Sequence, residues 1–466
     1  MIQRKIDNYL ADFYAKHGRR ALLVTGARQI GKTSSIREFG KKHFKHFVEI
    51  NFLESPAAKT IFEGADTSDI LLRLSAYTET KLVKNETLIF LDEIQECPNA
   101  VTSIKFLVEE GSYRYVMSGS LLGVELKDIR SLPVGFLSIK EMFPLDLEEF
   151  TNAVGVQPEV LKSIRSAFVN KTEVDALVHE KMMAIFRLYM VIGGMPAAVA
   201  EYLESNNIQN VVEIQQSIIE LYKKDIAKYD PKNKLYLNEI FDLIPPELNN
   251  QNKRFILKKL NENLKFSHYE NSFIWLKEAG VALPVYNVDE PKIPLLLSRS
   301  RNLFKLFLND VGLLTCQYAN GIQLKILNGD PDINFGSVYE NVAATELRAH
   351  GFDLYYFNSK KQGELDFVIE QNGNVLPIEI KSGKDYKRHN ALKNVLEMPN
   401  YAIKQAVVFC NDNVRAKDNI LYCPIYMLMF LSNEKMDLGT YKIDLSGLDN
   451  GAKRGAKSDR RRLGKK

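Results

Sequence analysis

Short, mainly apolar runs of four or five residues recur through the first 150 positions and alternate with longer stretches of mixed polarity. Runs of this length are typical of strands buried on both faces of a sheet, and the stretches between them have the apolar spacing of helices. The runs lie at 21–25, 46–50, 87–91, 113–117 and 136–139. Their alternation with helices predicts an α/β domain over residues 1–150, with a mostly parallel sheet covered on both sides.

The pattern changes after residue 150. Residues 151–231 place apolar side chains three or four positions apart and predict a helical domain. Residues 232–290 predict a winged-helix order, in which Pro245 and Pro246 end the first helix and a wing strand comes last. The expected elements are helices at 235–243, 253–263 and 267–279 and a strand at 281–286. The second helix is basic, which leaves DNA contact open beside a plain surface role.

Residues 291–450 predict a linker followed by a second α/β domain. Asn372-Gly373 stands between two apolar runs, and this dipeptide favours a two-residue hairpin turn. Helices are expected at 335–349 and 389–396, with a strand at 354–357. The fold class is therefore α/β multidomain.

A glycine-rich segment with the spacing G-x-x-x-x-G-K-T follows the first apolar run directly, and a predicted helix follows the segment. A strand, loop and helix in this order direct backbone N–H groups at one point beside a helix N-terminus, where a triphosphate is bound. Lys32 is expected to reach the β- and γ-phosphates, and the Thr33 hydroxyl to ligate Mg²⁺. The predicted ATP-binding residues are Gly26, Ala27, Arg28, Gln29, Ile30, Gly31, Lys32, Thr33 and Ser34.

Two acidic residues follow the run at 87–91. Asp92 is expected to hold Mg²⁺, and Glu93 to orient or deprotonate the attacking water, although a capping pair before a turn is the structural alternative. After the next run, Ser120 is the predicted sensor of the γ-phosphate and Ser118 is the alternate, although a turn serine that caps the next helix is the structural alternative. The identity of a phosphate-contacting arginine is left open between Arg28 and Arg130, either of which is equally explained as a surface charge.

A second set of chemical groups lies on the predicted hairpin. Asp366 is on its first strand, and Glu379 and Lys381 share one face of its second strand. This is the arrangement of restriction-endonuclease-like (PD-(D/E)xK) folds, in which Asp366 and Glu379 would hold Mg²⁺ and Lys381 would steady the developing charge. Glu340, from the preceding helix, is a further candidate acid. The alternative is a surface ion pair in a core that keeps the fold and cuts nothing.

Several segments together resemble prokaryotic AAA-type ATPases that carry a C-terminal domain of unknown function numbered 4143. The similar segments are GARQIGKT, LIFLDEIQECP, SGSLLG, the stretch at 131–150, KKDIAKY at 223–229 and FKLFLNDVGLL at 304–314. Gly193-Gly194-Met195-Pro196 resembles the GxP element of STAND-like and archaeal ATPases, which implies that Pro196 lies in a helical lid near the adenine. The resemblance extends to about residue 430 and implies a cytoplasmic ATP-binding protein.

Composition narrows the function classes further. The apolar fraction of 45% and charged fraction of 26% are ordinary for globular proteins, and no apolar run approaches the roughly 20 residues that span a bilayer, so no membrane partner is expected. The four cysteines lack metal-type spacing, so small buried thiols are expected.

The charge is unevenly distributed along the chain. Residues 452–466 carry +7, so the remainder carries −3 of the +4 total. The segment at 451–466 is expected to be disordered, either as a nucleic-acid-binding arm or as a solvated end.

The resulting hypothesis is an ATPase coupled to a nuclease-like domain that acts on, or is regulated by, DNA. The rival hypothesis is a nucleotide-switched scaffold with an idle nuclease-like domain. Assembly as a homo-oligomer is left open.

Overall fold

The computed structural model describes residues 2–16, 20–64, 66–120, 135–229, 234–250, 254–255, 266–330 and 335–433, together with Gly439 and Ile443. Arg130, most of the basic helix predicted at 253–263, and the basic tail lie outside these residues. Two units are distinguished, Met1–Asn433 and Glu434–Lys466, and every element below belongs to the first.

The described N-terminal strands form a five-stranded sheet in the order β2-β3-β4-β1-β5, with every neighbouring pair parallel. The strands are β1 (Ala21–Thr25), β2 (His46–Asn51), β3 (Thr87–Asp92), β4 (Arg114–Ser118) and β5 (Leu137–Glu141). The helices around them are α1 (Lys5–Lys16), α2 (Lys32–His43), α3 (Thr67–Tyr77) and α4 (Pro98–Glu110). The predicted parallel α/β sheet is confirmed.

Alternate residues of β1 enter two separate hydrophobic cores. Leu22 and Val24 pack on the face covered by α1 and α2, whereas Ala21 and Leu23 pack on the face covered by α3 and α4. Because successive strand residues point to opposite faces, a strand covered on both sides must be apolar at every position. This is the physical origin of the continuous apolar run.

A helical region follows, as predicted. Its helices are α5 (Leu147–Ala153), α6 (Pro158–Asn170), α7 (Ala176–Ile192), α8 (Pro196–Ser205) and α9 (Ile208–Tyr229). Asp146 and Glu149 form a capping box that fixes the start of α5. Gly193 and Gly194 separate α7 from α8, which are bent at this break by 120°.

Helix α10 (Lys234–Leu248) continues through Pro245 and Pro246, so the break predicted there is wrong. The buried side chains of α10 recur on one side both before and after the two prolines, at Leu237, Ile240, Phe241, Ile244 and Leu248. Burial of this continuous apolar side outweighs the local cost of proline in the last turns of a helix. Helix α11 (Phe266–Glu278) matches the predicted third helix, and Trp275 within it is buried.

The C-terminal strands form an eight-stranded sheet in the order β12-β13-β11-β10-β9-β8-β6-β7 within the described residues. The strands are β6 (Ala282–Val288), β7 (Arg299–Leu308), β8 (Tyr355–Ser359), β9 (Gly363–Gln371), β10 (Asn374–Ile380), β11 (Ala406–Cys410), β12 (Arg415–Lys417) and β13 (Ile420–Pro424). Strand β6, expected as the wing of a small domain, instead pairs with β7 and β8 inside this sheet. The end of β7 is buried in the core, so it does not behave as the predicted linker.

The predicted Asn-Gly hairpin joins β9 and β10, and Asn372 and Gly373 both have positive φ, as this turn requires. The remaining α-helices are α12 (Val311–Thr315), α13 (Ile322–Asn328), α14 (Gly336–Ala349) and α15 (Asn390–Leu396). Short 3₁₀ turns lie at Pro56–Phe62, Ile94–Glu96, Leu295–Ser298, Pro399–Tyr401 and Ile425–Phe430.

No single helix among the described residues is long and apolar enough to cross a membrane; α7 and α8 meet that length and composition only when taken together across their bend. The four cysteines, all within the described residues, are unpaired and buried, which confirms the expectation for them.

Candidate functional site

The loop between β1 and α2 turns sharply, and glycine is required at two of its positions. Gly26 has a φ of +133°, and a Cβ there would lie 2.2 Å from the carbonyl oxygen of Met142. Gly31 has a φ of +90° and immediately precedes α2. Because glycine has no side chain to cap a helix, the first N–H groups of α2 can bind an anion, which the positive end of the helix dipole also attracts.

The ammonium of Lys32 lies inside this loop. Its Nζ donates to the carbonyl oxygens of Gly26 at 2.9 Å and Ala27 at 2.6 Å. Burial lowers the pKa of Lys32 to about 8, although the charges of Glu93 and Asp92 oppose the change. Among the described residues, the hydrogen bonds of this buried cation go to backbone carbonyls, so the cation is suited to the phosphate group that the sequence predicts here.

The end of β3 brings Asp92 to the same place. Thr33 Oγ1 donates to Asp92 Oδ2 at 3.0 Å, and Asn51 Nδ2 donates to the same oxygen at 3.3 Å. The other carboxylate oxygen accepts a hydrogen bond from Ser118. Burial raises the pKa of Asp92, while the hydrogen bond from Ser118 opposes the rise. The two predicted magnesium ligands, Thr33 and Asp92, are therefore adjacent, and their hydroxyl and carboxylate oxygens suit a hard cation.

Glu93 begins the turn after β3 with a φ of +51°, in the left-handed region that residues other than glycine rarely occupy. Gln95 Nε2 donates to Glu93 Oε2 at 2.5 Å. A strained backbone together with a held carboxylate fixes the direction of Glu93 at the edge of the site. Sequence reasoning selected Glu93 but missed Gln95, which the motif does not mark.

Arg28 and Ser120 are brought together on the other side of the loop. Arg28 Nε donates to Ser120 Oγ at 3.2 Å, and Arg28 Nη1 lies 2.5 Å from Asp225 Oδ1 on α9. Tyr222, also on α9, donates from its hydroxyl to the Arg28 carbonyl oxygen at 3.2 Å. The two serines thus have different partners, since Ser118 binds the acid and Ser120 binds the arginine.

A cavity of about 730 Å³ adjoins the phosphate loop. It lies between the start of the chain, the first turns of α2 and one face of α8, with Arg4, Gly31, Ser34 and Pro196 in its wall. Pro196 is the first residue of α8, and a Cβ on Gly31 would lie 3.6 Å from Pro196 Cγ. This volume falls in the range of small-molecule sites and is large enough for a nucleoside.

Arg4 lines the cavity and was missed by sequence reasoning, although it connects the phosphate loop to the segment that leads into α5. Its Nη1 donates to the Ile30 carbonyl oxygen at 2.9 Å and its Nη2 to the Phe143 carbonyl oxygen at 2.7 Å. Its Nε lies 3.2 Å from Glu149 Oε2. No local motif marks an arginine near the start of the chain for this position.

The predicted acids of the C-terminal domain also converge. Strands β9 and β10 are antiparallel, and their last paired residues are Phe367 and Ile378. Asp366 and Glu379 are the next residues along the two strands and therefore lie opposite each other. Their carboxyl groups share a hydrogen bond, and burial, together with the Asp366 charge, raises the pKa of Glu379 well above its usual range. Asp366 Oδ2 accepts from the Ile380 N–H at 2.9 Å, and Lys381 Nζ lies 3.3 Å from Glu379 Oε2.

A second lysine, which sequence reasoning missed, lies among these acids. Lys305 on β7 is fully buried, with its Nζ 2.7 Å from Glu364 Oε1 and 3.7 Å from Glu340 Oε2. Burial opposes the charge on Lys305, but Glu340, Glu364 and Asp366 outweigh it and raise its pKa. The Lys305 ammonium therefore supplies positive charge to Glu340, the predicted additional acid.

The cluster does not fit a bound metal ion in this arrangement. The ammonium groups of Lys305 and Lys381, and the proton shared between Asp366 and Glu379, offset most of the negative charge of its carboxylates. Among the described residues, no group of three or more histidine, cysteine or acidic side chains is placed to hold a metal. The acids converge as predicted, but the cation that contacts them is the ammonium group of Lys305.

Family models match three parts of the chain. A model described as an AAA domain matches residues 18–151, a domain of unknown function (DUF8612) matches 183–324, and a domain of unknown function (DUF4143) matches 335–428. The second match crosses the boundaries predicted at 231 and 290. No curated protein matches the chain.

Solved structures of low sequence identity also match. A Walker-type ATPase of Pyrococcus abyssi is 12% identical, with a TM-score of 0.42, over 68% of this chain and 96% of that one. The Aeropyrum pernix ORC1 protein, solved in complex with DNA, is 14% identical, with a TM-score of 0.23, over 71% and 93%. The Aeropyrum pernix ORC2 protein is 14% identical, with a TM-score of 0.25, over 74% and 95%.

The family matches agree with the segments that carried the resemblance at both ends of the chain. The chain contains an AAA domain at residues 18–151 and a DUF4143 domain at residues 335–428.

Proposed function

We propose that this protein is a Mg²⁺-dependent ATP hydrolase. The observation that carries the proposal is the 3.0 Å contact between Thr33 and Asp92 directly beside the buried Lys32 ammonium. Binding of a metal-bound triphosphate requires a cation for the phosphates and oxygen ligands for the divalent ion. Here Lys32 supplies the cation, and Thr33 and Asp92 supply two oxygen ligands at a helix N-terminus.

Each residue has a distinct part in the proposed reaction. The glycine loop and Lys32 bind the phosphates, and Thr33 and Asp92 would hold Mg²⁺, which neutralises phosphate charge when bound. Glu93 orients a water molecule and takes its proton as the water oxygen bonds to the γ-phosphorus and the bond to ADP breaks. The cavity beside Pro196 accommodates the base and ribose.

Two substitutions test this proposal. Lys32→Ala is expected to abolish ATP binding, whereas Glu93→Gln is expected to retain ATP binding and lose at least about 100-fold in turnover. Equilibrium binding of a fluorescent ATP analogue and a phosphate-release assay measure the two effects. Lys45→Ala, which removes an exposed ion pair with Glu86 on the same domain, is the control. Unchanged turnover in Glu93→Gln would remove the assigned base.

The C-terminal domain is proposed to respond to the nucleotide, with two alternatives for what it does. The convergence of Asp366, Glu379 and Lys381 supports a restriction-endonuclease-like domain that cuts DNA with Mg²⁺. Lys305, placed among the same acids, supports the alternative of a nuclease-like domain that is catalytically idle and serves as a nucleotide-switched scaffold. We favour the second alternative, because the resident ammonium of Lys305 offsets part of the negative charge that would otherwise hold a divalent ion.

DNA is the partner that distinguishes the alternatives. The ATPase rate is measured with and without DNA of several forms, and the same DNA is examined for cuts in Mg²⁺ and Mn²⁺. The scaffold alternative predicts no cuts under any condition. Cleavage that is lost in both Asp366→Asn and Lys381→Ala would establish the nuclease instead. Homo-oligomerisation stays a separate prediction, which sedimentation with and without ATP can test.

A further inference from the structure

Arg28 occupies an unusual position, inside the phosphate loop but held by the helical region. Helix α9 contacts both the backbone and the side chain of Arg28. The Tyr222 hydroxyl donates to the Arg28 carbonyl oxygen at 3.2 Å, and Asp225 Oδ1 lies 2.5 Å from the Arg28 guanidinium. The guanidinium also donates to Ser120 at 3.2 Å. The side chain of Arg28 is 28% exposed and that of Asp225 is 15% exposed, so this ion pair is largely shielded from solvent.

Two cations face the same small region. The positive charge of Arg28 is close enough to Lys32 to contribute to the lowered pKa of that lysine, after the larger effect of burial. The two positive charges repel each other, and a polyanion that binds both of them converts the repulsion into attraction. The phosphate loop therefore carries a second positive charge, that of Arg28, in addition to the ammonium of Lys32.

Ser120 indicates which phosphate the second cation would meet. β4 lies between β3 and β1 in the sheet, so Ser120, just past its end, lies between the end of β3 and the phosphate loop. Ser118, two residues earlier, contacts Asp92. A guanidinium bonded to Ser120 is therefore on the side of the site where Glu93 and the attacking water act, which is the side of the terminal phosphate.

We propose that Arg28 is a catalytic residue that contacts the γ-phosphate of ATP, and that it does so by exchanging Asp225 for the phosphate. This inference rests on the proposed ATPase function. With ATP bound, the guanidinium forms charge-assisted hydrogen bonds to the terminal phosphate and stabilises the charge that develops as the phosphoryl group is transferred. With ADP bound, that phosphate is absent and Arg28 stays on Asp225, so the pair distinguishes ATP from ADP.

Helix α9 carries this difference to the rest of the protein. Its Gln215 donates to the carbonyl oxygens of Val191 and Ile192, both at 2.9 Å, at the end of α7. The next residues form the Gly193-Gly194 break, after which Pro196 lines the nucleotide cavity. When Arg28 releases Asp225, the change at this end of α9 therefore reaches the Gly193-Gly194 break, which sets the position of Pro196 in the cavity wall.

The test compares two variants that break the same ion pair from opposite sides. Arg28→Gln is expected to lose at least about 100-fold in kcat and about 10-fold or more in its preference for a non-hydrolysable ATP analogue over ADP. Asp225→Asn is expected to bind the ATP analogue as tightly as wild type or more tightly, because the competing carboxylate is gone. Arg165→Gln, which breaks the surface pair with Glu148, is the matched control.

The outcomes separate a catalytic role from a structural one. Equal losses in Arg28→Gln and Asp225→Asn, at unchanged thermal unfolding midpoints, would mean that the pair serves the fold, and would overturn the inference. An unchanged ATP-over-ADP preference in Arg28→Gln would also overturn it while leaving the ATPase proposal intact. Wild-type protein that binds neither nucleotide would overturn both.

Discussion

His350 Nε2 lies 3.4 Å from Asp146 Oδ2, a contact that joins the helix carrying Glu340 to the end of the AAA domain. Lys5 Nζ lies 2.7 Å from the same carboxylate oxygen, and Glu346 accepts a hydrogen bond from the Leu147 N–H at 2.7 Å. All of these groups except Lys5 are buried. The two domains identified by family matches are therefore connected through ionisable groups.

Stability should fall as the pH rises through the neutral range. Burial opposes the charge on His350, but its hydrogen bond to Asp146 and the Glu346 charge raise its pKa above the ordinary 6.5. A raised histidine pKa stabilises the fold fully below about pH 6.5 and loses that effect as the pH passes the folded pKa. Burial raises the pKa of Glu346 from 4.5 to about 7, so this carboxyl also favours the fold at the lower pH.

The measurement is the thermal unfolding midpoint between about pH 5.5 and 8.5, in wild type and in His350→Gln. Wild type should lose stability across this interval, and the variant should show a shallower decline. The groups that face His350 are Asp146, Glu346 and Lys5, and the lowered pKa of Asp146 acts only at acid pH. Identical slopes in the two proteins would contradict the assignment to His350.

Gly194→Ala should destabilise the protein by about 3 kcal/mol, as overpacking does in a rigid site. A Cβ at this position would lie 2.0 Å from the Leu145 carbonyl oxygen, and the Leu145 N–H donates to the Gly194 carbonyl oxygen at 2.7 Å. Denaturant unfolding measures the loss. Gly383→Ala is a matched control, because a Cβ there meets nothing within 4 Å and, as at Gly194, φ is not in the left-handed region.

Equal stability of the two alanine variants would show that the α7–α8 break has room to adjust. The glycines of this break belong to the segment that resembles the GxP element of a helical lid. The structure adds that they are required for close contact, since Gly194 N–H also donates to Asp310 Oδ2 at 2.6 Å.

Lys305→Met should destabilise the C-terminal domain and create a cation site. Removing the ammonium takes away the cation that Glu340 and Glu364 contact, which costs about 3–5 kcal/mol for a buried pair. Mn²⁺ should then stabilise the variant in a concentration-dependent way, while wild type shows no such effect from this cluster. Thermal unfolding with and without Mn²⁺ measures both results.

The experiment is made in an Asp92→Asn background, so that the metal site proposed near the phosphate loop does not contribute. Lys292→Met removes an exposed lysine paired with Glu290 and should change the stability by less than about 0.5 kcal/mol. Stabilisation of the Lys305-containing protein by Mn²⁺, lost on Asp366→Asn, would contradict the interpretation of Lys305 as the resident cation.

The sequence predicted those site residues whose position follows from chain order. Parallel strands end at one edge of a sheet, so a glycine loop after β1 and an acid after β3 must meet, and Thr33 and Asp92 do. The Asn-Gly turn likewise sets Asp366 beside Glu379. Lys305 could not be predicted in this way, because its role depends on side-chain contacts with Glu364 on β9, which is not a neighbour of β7 in the sheet, and with Glu340 on α14.

Asp225 shows the same limit. It lies 197 positions from Arg28, and an acid on a helix has no feature that identifies such a distant partner. The prolines of α10 show the reverse error, since a reliable local rule was overridden by burial of an apolar side that only the folded chain provides. Local chemistry predicted the loop and the turn, whereas long-range packing decided which charges meet.

ATP binding should take up a proton above about pH 8. In the free protein burial lowers the pKa of Lys32 to about 8, so the amine loses its charge as the pH rises past that value. The phosphates of ATP favour the charged form and restore the higher pKa, so binding at about pH 9 draws a proton from the buffer, and affinity weakens as the pH rises.

Isothermal titration calorimetry in two buffers of different ionisation enthalpy measures this uptake directly. Uptake approaching one proton at about pH 9 and none at about pH 6.5 is expected. Lys32→Arg keeps its charge at both values and should show no uptake wherever it still binds; equal uptake in both proteins would assign the proton to another group.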